Sequence, residues 1–126
     1  MTSSYDTDGA SWLTVVRTVT DGTTVLGLQG EVDLHTVGRL RRALAACATD
    51  PVRLVVDLRW VTFMDSTGIN ALVALHRATL GTPGWIRLAR PQRPVRRILQ
   101  VSGLDTVIDC CPTLHQALHL EDGTTG

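Results

Sequence analysis

The sequence predicts an α/β fold, with a mixed, mostly parallel β-sheet of about five strands packed with about four α-helices. Three observations predict it. Segments rich in β-branched residues alternate with segments of helical periodicity. Residues 52–58 form a near-continuous apolar run, which is typical of a central strand buried on both faces. Asp21 and Gly22 form a hairpin signal between the first two strands.

The first elements are an antiparallel pair of strands and a helix. Residues 12–20 are rich in Val and Thr, and residues 24–29 return as the second strand after the turn. Thr36 is a predicted N-cap for a helix over residues 37–48, because the apolar positions of that segment share one helical face. The central strand over residues 52–58 follows this helix.

The remaining elements alternate between helix and strand. Residues 59–64 are predicted to form a short loop, and residues 65–80 a second helix whose apolar side chains, Leu80 among them, share one face. Pro94 suits the first position of a third helix, and Gly103 suits its C-terminal cap. The later predicted elements are a strand over residues 85–89, a helix over 94–101, a weak strand over 106–109 and a helix over 112–120.

Length and composition are those of one domain. The chain has 126 residues, of which 44% are hydrophobic and 19% are charged, so it can bury a core. We expect a folded domain over residues 11–120, with flexible ends at residues 1–10 and 121–126. Twelve basic residues balance twelve acidic ones, which argues against a net basic field for non-specific nucleic-acid binding.

Targeting and redox signals favour the cytoplasm. No apolar run approaches the ~18 residues of a membrane-spanning helix, and the first residues lack the basic and apolar regions of a secretory signal. The three cysteines have no C-x-x-C spacing, and Cys110 and Cys111 are adjacent. We therefore expect reduced thiols rather than a disulfide or a zinc site.

A polar cluster follows the central strand where the chain enters the second helix. Asp65, Ser66 and Thr67 place one carboxylate and two hydroxyls at the helix start. Functional groups gather at such strand ends in open α/β sheets, and the helix N-terminus stabilises a phosphate. A phosphoryl group beside Asp65 would change the surface that a partner meets, so the position suits a switch. The alternative is that Asp65 or Ser66 only caps the helix.

Four short blocks stand in a set order within residues 13–118. They are LQGEVD at residues 28–33, VVDL at 55–58, FMDSTG at 63–68 and VSGL at 101–104. In this order and spacing they resemble the STAS domain of bacterial anti-sigma factor antagonists, the anti-anti-sigma factors of sporulation and general stress control. The resemblance implies a STAS-like single domain with the α/β fold predicted above.

The resemblance also implies a partner switch at Ser66. In that family the serine directly after the Asp is phosphorylated by an anti-sigma factor, itself a serine kinase of the histidine-kinase-like ATPase fold, and a serine phosphatase reverses the change. Unphosphorylated protein would bind the anti-sigma factor and release a sigma factor, and phosphorylation of Ser66 would break that complex. Thr67 is the second-choice acceptor. Asp65 would contact the kinase and help place the hydroxyl.

A docking surface around that serine is a further implication of the resemblance. Glu31 and Asp33 belong to the loop that lies beside the phosphorylation site in the family. Many members continue Leu-Gly after the position of Gly68, whereas this chain has Ile69 and Asn70, and the bulk of Asn70 favours a narrower interface. The predicted partner-binding residues are Glu31, Asp33, Thr36, Asp65, Ser66, Thr67, Gly68 and Asn70.

Catalysis and metal binding are competing interpretations. The G-x-S-x-G elbow and Gly-rich phosphate loops are absent from the sequence, and His76 lies too far along its helix to reach Ser66. His115 and His119 would supply half a metal site with no third ligand evident. We therefore predict that the chain is not an enzyme and that it uses no cofactor or metal.

Nucleic-acid binding and a non-switching role complete the alternatives. Between Ser66 and Leu104 there are six Arg and no acid, and Arg93, Arg96 and Arg97 would form a basic patch on the third helix. The aromatic residues that usually accompany such a patch are missing, so we expect no nucleic-acid partner and no membrane partner. The alternative that stays open keeps the fold without the switch, as a STAS scaffold or a small-ligand-binding signalling module.

Overall fold

The computed structural model describes residues 11–49 and 51–120, which form five strands, four α-helices and one 3-10 turn. The predicted flexible ends, residues 1–10 and 121–126, lie outside the described residues. The strands are β1 (Leu13–Thr20), β2 (Thr23–Val32), β3 (Arg53–Met64), β4 (Trp85–Ala89) and β5 (Asp109–Cys111). The helices are α1 (Val37–Ala46), α2 (Ser66–Thr79), α3 (Arg93–Val101) and α4 (Leu114–His119).

The strands form one mixed sheet in the order β1-β2-β3-β4-β5. β1 runs antiparallel to β2, and every other neighbouring pair is parallel. Asp21 and Gly22 both have positive φ angles, 50° and 80°, in the two-residue turn that joins β1 to β2. Such a turn matches the right-handed twist of the flanking strands. The predicted fold class and the predicted hairpin are confirmed.

The two faces of the sheet are covered unequally. Helices α1, α2 and α3 pack on one face, where Leu40, Leu72 and Leu99 belong to the main core. The six-residue helix α4 packs on the other face, where Ala117 joins a smaller cluster with Val55. The remainder of that second face, formed by β1, β2 and the end of β3, has no helix over it among the described elements.

Strand β3 is longer than the sequence pattern indicates. The prediction of a loop over residues 59–64 is wrong, because this segment continues β3 and pairs with β2 as far as Met64. Two register shifts, after Asp57 and after Val61, place extra residues in β3 opposite β2. Such β-bulges break the strict alternation of inward and outward side chains, and this is why the segment lacks a strand-like pattern.

The other differences are shifts of element boundaries. β2 continues to Val32, and α1 ends at Ala46. Gly103 has a φ of 79°, which confirms the predicted cap of α3, but the chain then forms the turn Leu104–Thr106 and delays β5 to Asp109–Cys111. Leu80 is exposed, contrary to the prediction, because α2 ends at Thr79.

All three cysteines of the chain lie among the described residues. Cys47, Cys110 and Cys111 are free thiols, and burial raises the pKa of each one, which keeps it protonated at neutral pH. Among the described residues, no helix is both long and apolar enough to cross a lipid bilayer.

Candidate functional site

The junction between β3 and α2 contains the predicted acceptor. Asp65 follows the last residue of β3, and its backbone N–H donates to the carbonyl of Val32 at the end of β2 (3.1 Å). Asp65 Oδ1 accepts from the backbone N–H of Thr67 (2.9 Å) and from the Thr67 hydroxyl (2.5 Å). Asp65 is therefore the N-cap of α2, as the capping interpretation predicts for this residue, and it also fixes the helix start against β2.

The two hydroxyls at this junction are in different states. Ser66 is the first residue of α2 and is exposed, and no group in the described part of the chain hydrogen-bonds its hydroxyl. Thr67 is half-buried, and its hydroxyl donates to Asp65. A reagent that approaches from solvent meets a free Ser66 hydroxyl, whereas Thr67 must first break a short hydrogen bond. Ser66 is the better acceptor on geometry alone.

Gly68 determines how closely helix α2 packs on the sheet, and it is not positioned to contact a partner. It is buried, and a Cβ at this position would lie 2.7 Å from Val32 Cγ1 and 2.8 Å from Met64 Cγ. The absence of a side chain lets the first turn of α2 pack directly on the ends of β2 and β3. Asn70 lies in the same turn and is exposed, so its side chain is available to a partner.

A second strand-to-helix junction lies beside the first. β2 and β3 are parallel neighbours paired through Val32 and Met64, so the loops that follow them leave the same edge of the sheet. Asp33 follows β2 directly, and its Oδ1 accepts from the backbone N–H groups of His35 (2.9 Å) and Thr36 (3.2 Å). Asp33 and Asp65 therefore occupy equivalent positions at adjacent strand ends.

Thr36 occupies the N-cap position of α1, as the sequence predicts, but its side chain makes no capping hydrogen bond to the helix. Its hydroxyl instead donates to the carbonyl of Glu31 (2.7 Å) and accepts from the N–H of Asp33 (3.0 Å), and the residue is buried. Asp33, three residues earlier, closes the turn before α1, and its carbonyl accepts from the N–H of Val37, the first residue of the helix.

The acidic groups near Ser66 differ in their surroundings. Burial acts to raise the pKa of Asp33, but the influence of the Ser11 hydroxyl, the hydrogen bonds from the backbone N–H groups of His35 and Thr36 and the charge of His35 lower it below its ordinary value. Asp33 is thus held as a carboxylate at neutral pH. Glu31 is half-buried at the end of β2, where it pairs with Phe63.

The predicted site residues therefore fall into two groups. Ser66 and Asn70 are exposed, and Glu31, Asp33, Asp65 and Thr67 are half-buried, so all six present surface at one edge of the sheet. Thr36 and Gly68 are buried, and they position the two loops without facing solvent.

The predicted partner-binding residues do not include the aromatic side chains near this edge. Phe63 precedes Asp65 by two residues and is exposed, and so is Trp12. Trp60 is exposed as well. Residues 60–63 are Trp-Val-Thr-Phe, residue types common in strands, but the bulges break the alternation that would mark the segment as a strand.

Two histidines on α4 and three arginines on α3 are the other groups that the sequence raised as alternatives. The rings of His115 and His119 lie 4.4 Å apart, and no group of three potential metal ligands occurs within residues 11–49 and 51–120. Arg93, Arg96 and Arg97 are exposed on α3.

Comparison with known sequences gives a consistent set of relatives. The STAS domain family matches residues 14–117. Over 107 residues the chain is 33% identical to the anti-sigma-F factor antagonist RsfB of Mycobacterium tuberculosis, a match that covers 84% of this chain and 87% of that protein.

Solved structures give the same relationship. An anti-sigma factor antagonist from Mycobacterium paratuberculosis superposes with a TM-score of 0.77 at 32% identity, covering 84% of this chain and 91% of that one. The anti-sigma factor antagonist SpoIIAA in its unphosphorylated form gives a TM-score of 0.67 at 27% identity, with coverages of 83% and 93%. The phosphorylated form of SpoIIAA gives 0.63 at 25% identity, with coverages of 83% and 96%.

Proposed function

This chain belongs to the STAS domain family, and we propose that it is an anti-sigma factor antagonist switched by phosphorylation of Ser66. Unphosphorylated protein binds an anti-sigma factor in the cytoplasm and so releases a sigma factor. The anti-sigma factor is also the serine kinase that modifies Ser66, and a serine phosphatase restores the binding form. The relatives named as antagonists, and the existence of SpoIIAA in two phosphorylation forms, support this assignment.

The observation that carries the proposal is the state of the Ser66 hydroxyl. It is exposed and free at the first position of a 14-residue helix, while its neighbour Thr67 is hydrogen-bonded to Asp65. In the transfer step the γ-phosphoryl group of the kinase's ATP leaves ADP and bonds to Ser66 Oγ, and the hydroxyl proton passes to a base of the kinase. In this role the chain is a substrate and not a catalyst.

The helix N-terminus explains why the modified protein stays folded. A phosphate on the first residue of α2 lies at the positive end of the helix dipole, which stabilises its charge. Phosphorylation therefore leaves the fold intact and changes the surface instead. This is the behaviour that a reversible switch requires.

The same phosphate acts against the bound partner. The edge already presents Glu31, Asp33 and Asp65, so a phosphate on Ser66 adds almost two negative charges beside these acids, and a bound partner would exclude the water that screens them from one another. Like-charge juxtaposition at an interface costs several kcal/mol, and about 3 kcal/mol is a hundredfold loss of affinity. The docking surface consists of these acids with Ser66, Thr67 and Asn70, and Thr36 and Gly68 hold its two loops in place.

Phosphopeptide mass spectrometry on protein purified from its native cells tests the proposal. Trypsin releases residues 60–77, a peptide that contains Thr62, Ser66 and Thr67. We expect one phosphoryl group on Ser66, its loss in Ser66→Ala and its retention in the matched control Thr67→Val. A phosphoryl group on another residue, or none under growth and stress conditions alike, contradicts the switch and leaves the STAS scaffold or ligand-binding role.

A further inference from the structure

A polar cleft of about 520 Å³ lies beside the start of helix α1. The chain that leads into β1 forms one wall, and the first turns of α1 form the other. Three side chains of the cleft carry or can carry a positive charge, and they are His35, Arg39 and Arg42. We call this cavity the basic cleft.

The two arginines of the basic cleft have no acidic partner in the described part of the chain. Neither guanidinium forms an ion pair or a hydrogen bond within residues 11–49 and 51–120, whereas His35 faces Asp33 at 3.9 Å. Arg39 and Arg42 are three residues apart and exposed, so they are neighbours on the surface of α1. Two unpaired cations at the positive end of the α1 dipole attract a negatively charged occupant.

A buried hydroxyl at the same cleft has no partner either. Ser11 borders the basic cleft, and its Oγ is buried and forms no hydrogen bond to any described residue. A buried polar group without a hydrogen bond is costly, so an acceptor that enters the cleft beside it gains a donor. Ser11 is also the first described residue. Residues 1–10 therefore join the described chain at the wall of the cleft.

Charge is distributed unevenly between the described chain and the residues outside it. All twelve basic residues are Arg and lie within residues 17–97. The acids outside the described residues are Asp6, Asp8, Asp50, Glu121 and Asp122. The described part of the chain thus carries an excess of positive charge, although the whole chain has a formal net charge of zero. Residues 1–10 contain two acids and no base.

We propose that residues 1–10 of this chain dock in the basic cleft, with the carboxylates of Asp6 and Asp8 paired with Arg39 and Arg42. The distances suit this pairing. Asp8 precedes Ser11 by three residues, so it reaches at most about 10 Å from it. Side chains two residues apart in an extended segment lie on the same side, about 7 Å from each other.

The covalent connection favours this occupant over a separate acidic peptide. Because the segment is joined to the cleft at Ser11, its effective concentration there is in the millimolar range, as for other short linkers. Docking then orders a segment whose polar composition alone favours flexibility. The docked segment covers the exposed His35 in the loop between β2 and α1.

Nuclear magnetic resonance relaxation of the purified, unphosphorylated full chain tests the proposal. At low ionic strength the backbone order parameters of residues 6–9 should exceed about 0.6, the value below which a backbone is flexible. The double variant Asp6→Asn, Asp8→Asn should lower them below about 0.6 and shift the amide signals of Gly38 and Arg39. An increase in ionic strength from about 0.01 M to about 1 M shortens the Debye length from ~30 Å to ~3 Å and should have the same effect.

Control variants match these charge changes outside the basic cleft. Arg39→Gln should release the segment, whereas Arg41→Gln, an exposed residue of the same helix that does not border the cleft, should not. The double variant Asp105→Asn, Asp109→Asn removes two exposed acids that do not border the cleft and should leave the order parameters unchanged. Circular dichroism establishes that each variant is folded.

Three outcomes overturn the proposal. The first is order parameters below about 0.6 for residues 6–9 of the original chain at low ionic strength. The second is an ordered segment that Arg39→Gln and the double variant of Asp6 and Asp8 leave unchanged. The third is a mobile segment in a chain whose Gly38 and Arg39 signals shift when oligoglutamate is added, because the basic cleft then belongs to an acidic partner and not to residues 1–10.

Discussion

The two strand-to-helix junctions at the edge of the sheet begin with the same Asp hydrogen bond and leave their hydroxyls in different states. After β2 and after β3 an Asp carboxylate accepts from the N–H two residues further on, and both bonds measure 2.9 Å. After β2 the nearby hydroxyl of Thr36 turns inward and bonds Glu31, whereas after β3 the hydroxyl of Ser66 faces solvent without a partner in the described chain. We call the junction after β2, where the Thr36 hydroxyl is buried, the closed junction. The junction after β3, where the Ser66 hydroxyl is exposed, is the open junction.

The difference arises from where each helix begins. α2 starts at the residue after its capping Asp, so its first hydroxyl lies on the outer surface. α1 starts four residues after Asp33, and the intervening turn folds Thr36 under the strand end. The comparison teaches that the position of the cap relative to the helix, and not the identity of the cap, decides whether a hydroxyl is available for modification.

The largest effect is expected from a charge placed at the open junction. Ser66→Asp puts a carboxylate where the phosphate would lie, and we expect the affinity for the anti-sigma factor to fall about a hundredfold, which corresponds to ~3 kcal/mol. Isothermal titration calorimetry with the partner recovered from native cells measures the change.

The matched control for this variant is His35→Asp, which places the same charge on an exposed residue of the closed junction. We expect a much smaller loss of affinity there. Equal losses of affinity for the two variants would mean that the partner responds to the total charge of this edge and not to a charge at Ser66 in particular.

Gly68 and Gly38 should respond to alanine with opposite signs. A Cβ at Gly68 would lie under 3 Å from Val32 and Met64, so Gly68→Ala should destabilise the protein by about 1–3 kcal/mol. A Cβ at Gly38 in α1 meets its nearest atom at 3.5 Å, an ordinary contact, so Gly38→Ala should stabilise by about 0.5–1 kcal/mol. Urea unfolding measures both, and a neutral Gly68→Ala would disprove the tight packing at the open junction.

Removal of the hydroxyl at each junction should change the free energy of unfolding by different amounts. Thr36→Val loses two hydrogen bonds and leaves the Glu31 carbonyl and the Asp33 N–H unsatisfied, which should cost about 1–3 kcal/mol. Ser66→Ala removes a hydroxyl with no bond to lose, and its unfolding free energy should stay within about 0.5 kcal/mol of the original. Differential scanning calorimetry compares the two, and a costly Ser66→Ala would reveal a structural role for that hydroxyl.

The smallest effect concerns acid pH at the closed junction. The folded state lowers the pKa of Asp33, so its stabilising contribution is present above the ordinary value of 3.8 and is lost as the pH falls through the folded value. Asp33→Asn keeps an acceptor oxygen but cannot titrate. The variant should therefore lose less stability than the original protein between neutral pH and pH values below 3.8, measured by urea unfolding. An identical loss in both would contradict the lowered pKa.

The sequence predicts the features that local chemistry determines. Asp21 and Gly22 adopt the positive φ angles of the hairpin, Gly103 takes the left-handed cap, and Ser66 starts a helix at the end of a central strand. Each depends on residues within a few positions of one another. The start of α2 was also predictable in outline, because a carboxylate followed by hydroxyls at a strand end is a common N-cap pattern, and Asp65 caps the helix.

The features that the sequence does not predict depend on distant partners. The bulges in β3 exist only relative to β2, so residues 59–64 have no local pattern that marks them as a strand. Asp33 and Thr36 are both residue types that cap helices well. The Thr36 hydroxyl does not cap α1 because it donates to the carbonyl of Glu31, a residue that precedes it by five positions. The exposure of Trp12 and Phe63 follows from the shortness of α4, which leaves part of a sheet face uncovered.

The extension of β3 has an evolutionary consequence. β4 pairs with β3 only as far as Asp57, and the last seven residues of β3 continue beyond it, a length of about 23 Å. The edge that carries Asp33, Asp65 and Ser66 therefore stands beyond the end of β4, where only β2 and β3 continue. When such a gene is duplicated, substitutions at the exposed residues of this edge can change which partner is recognised, while the buried residues at the ends of β2 and β3 maintain the fold. Sister copies can thereby diverge into separate, insulated signalling circuits.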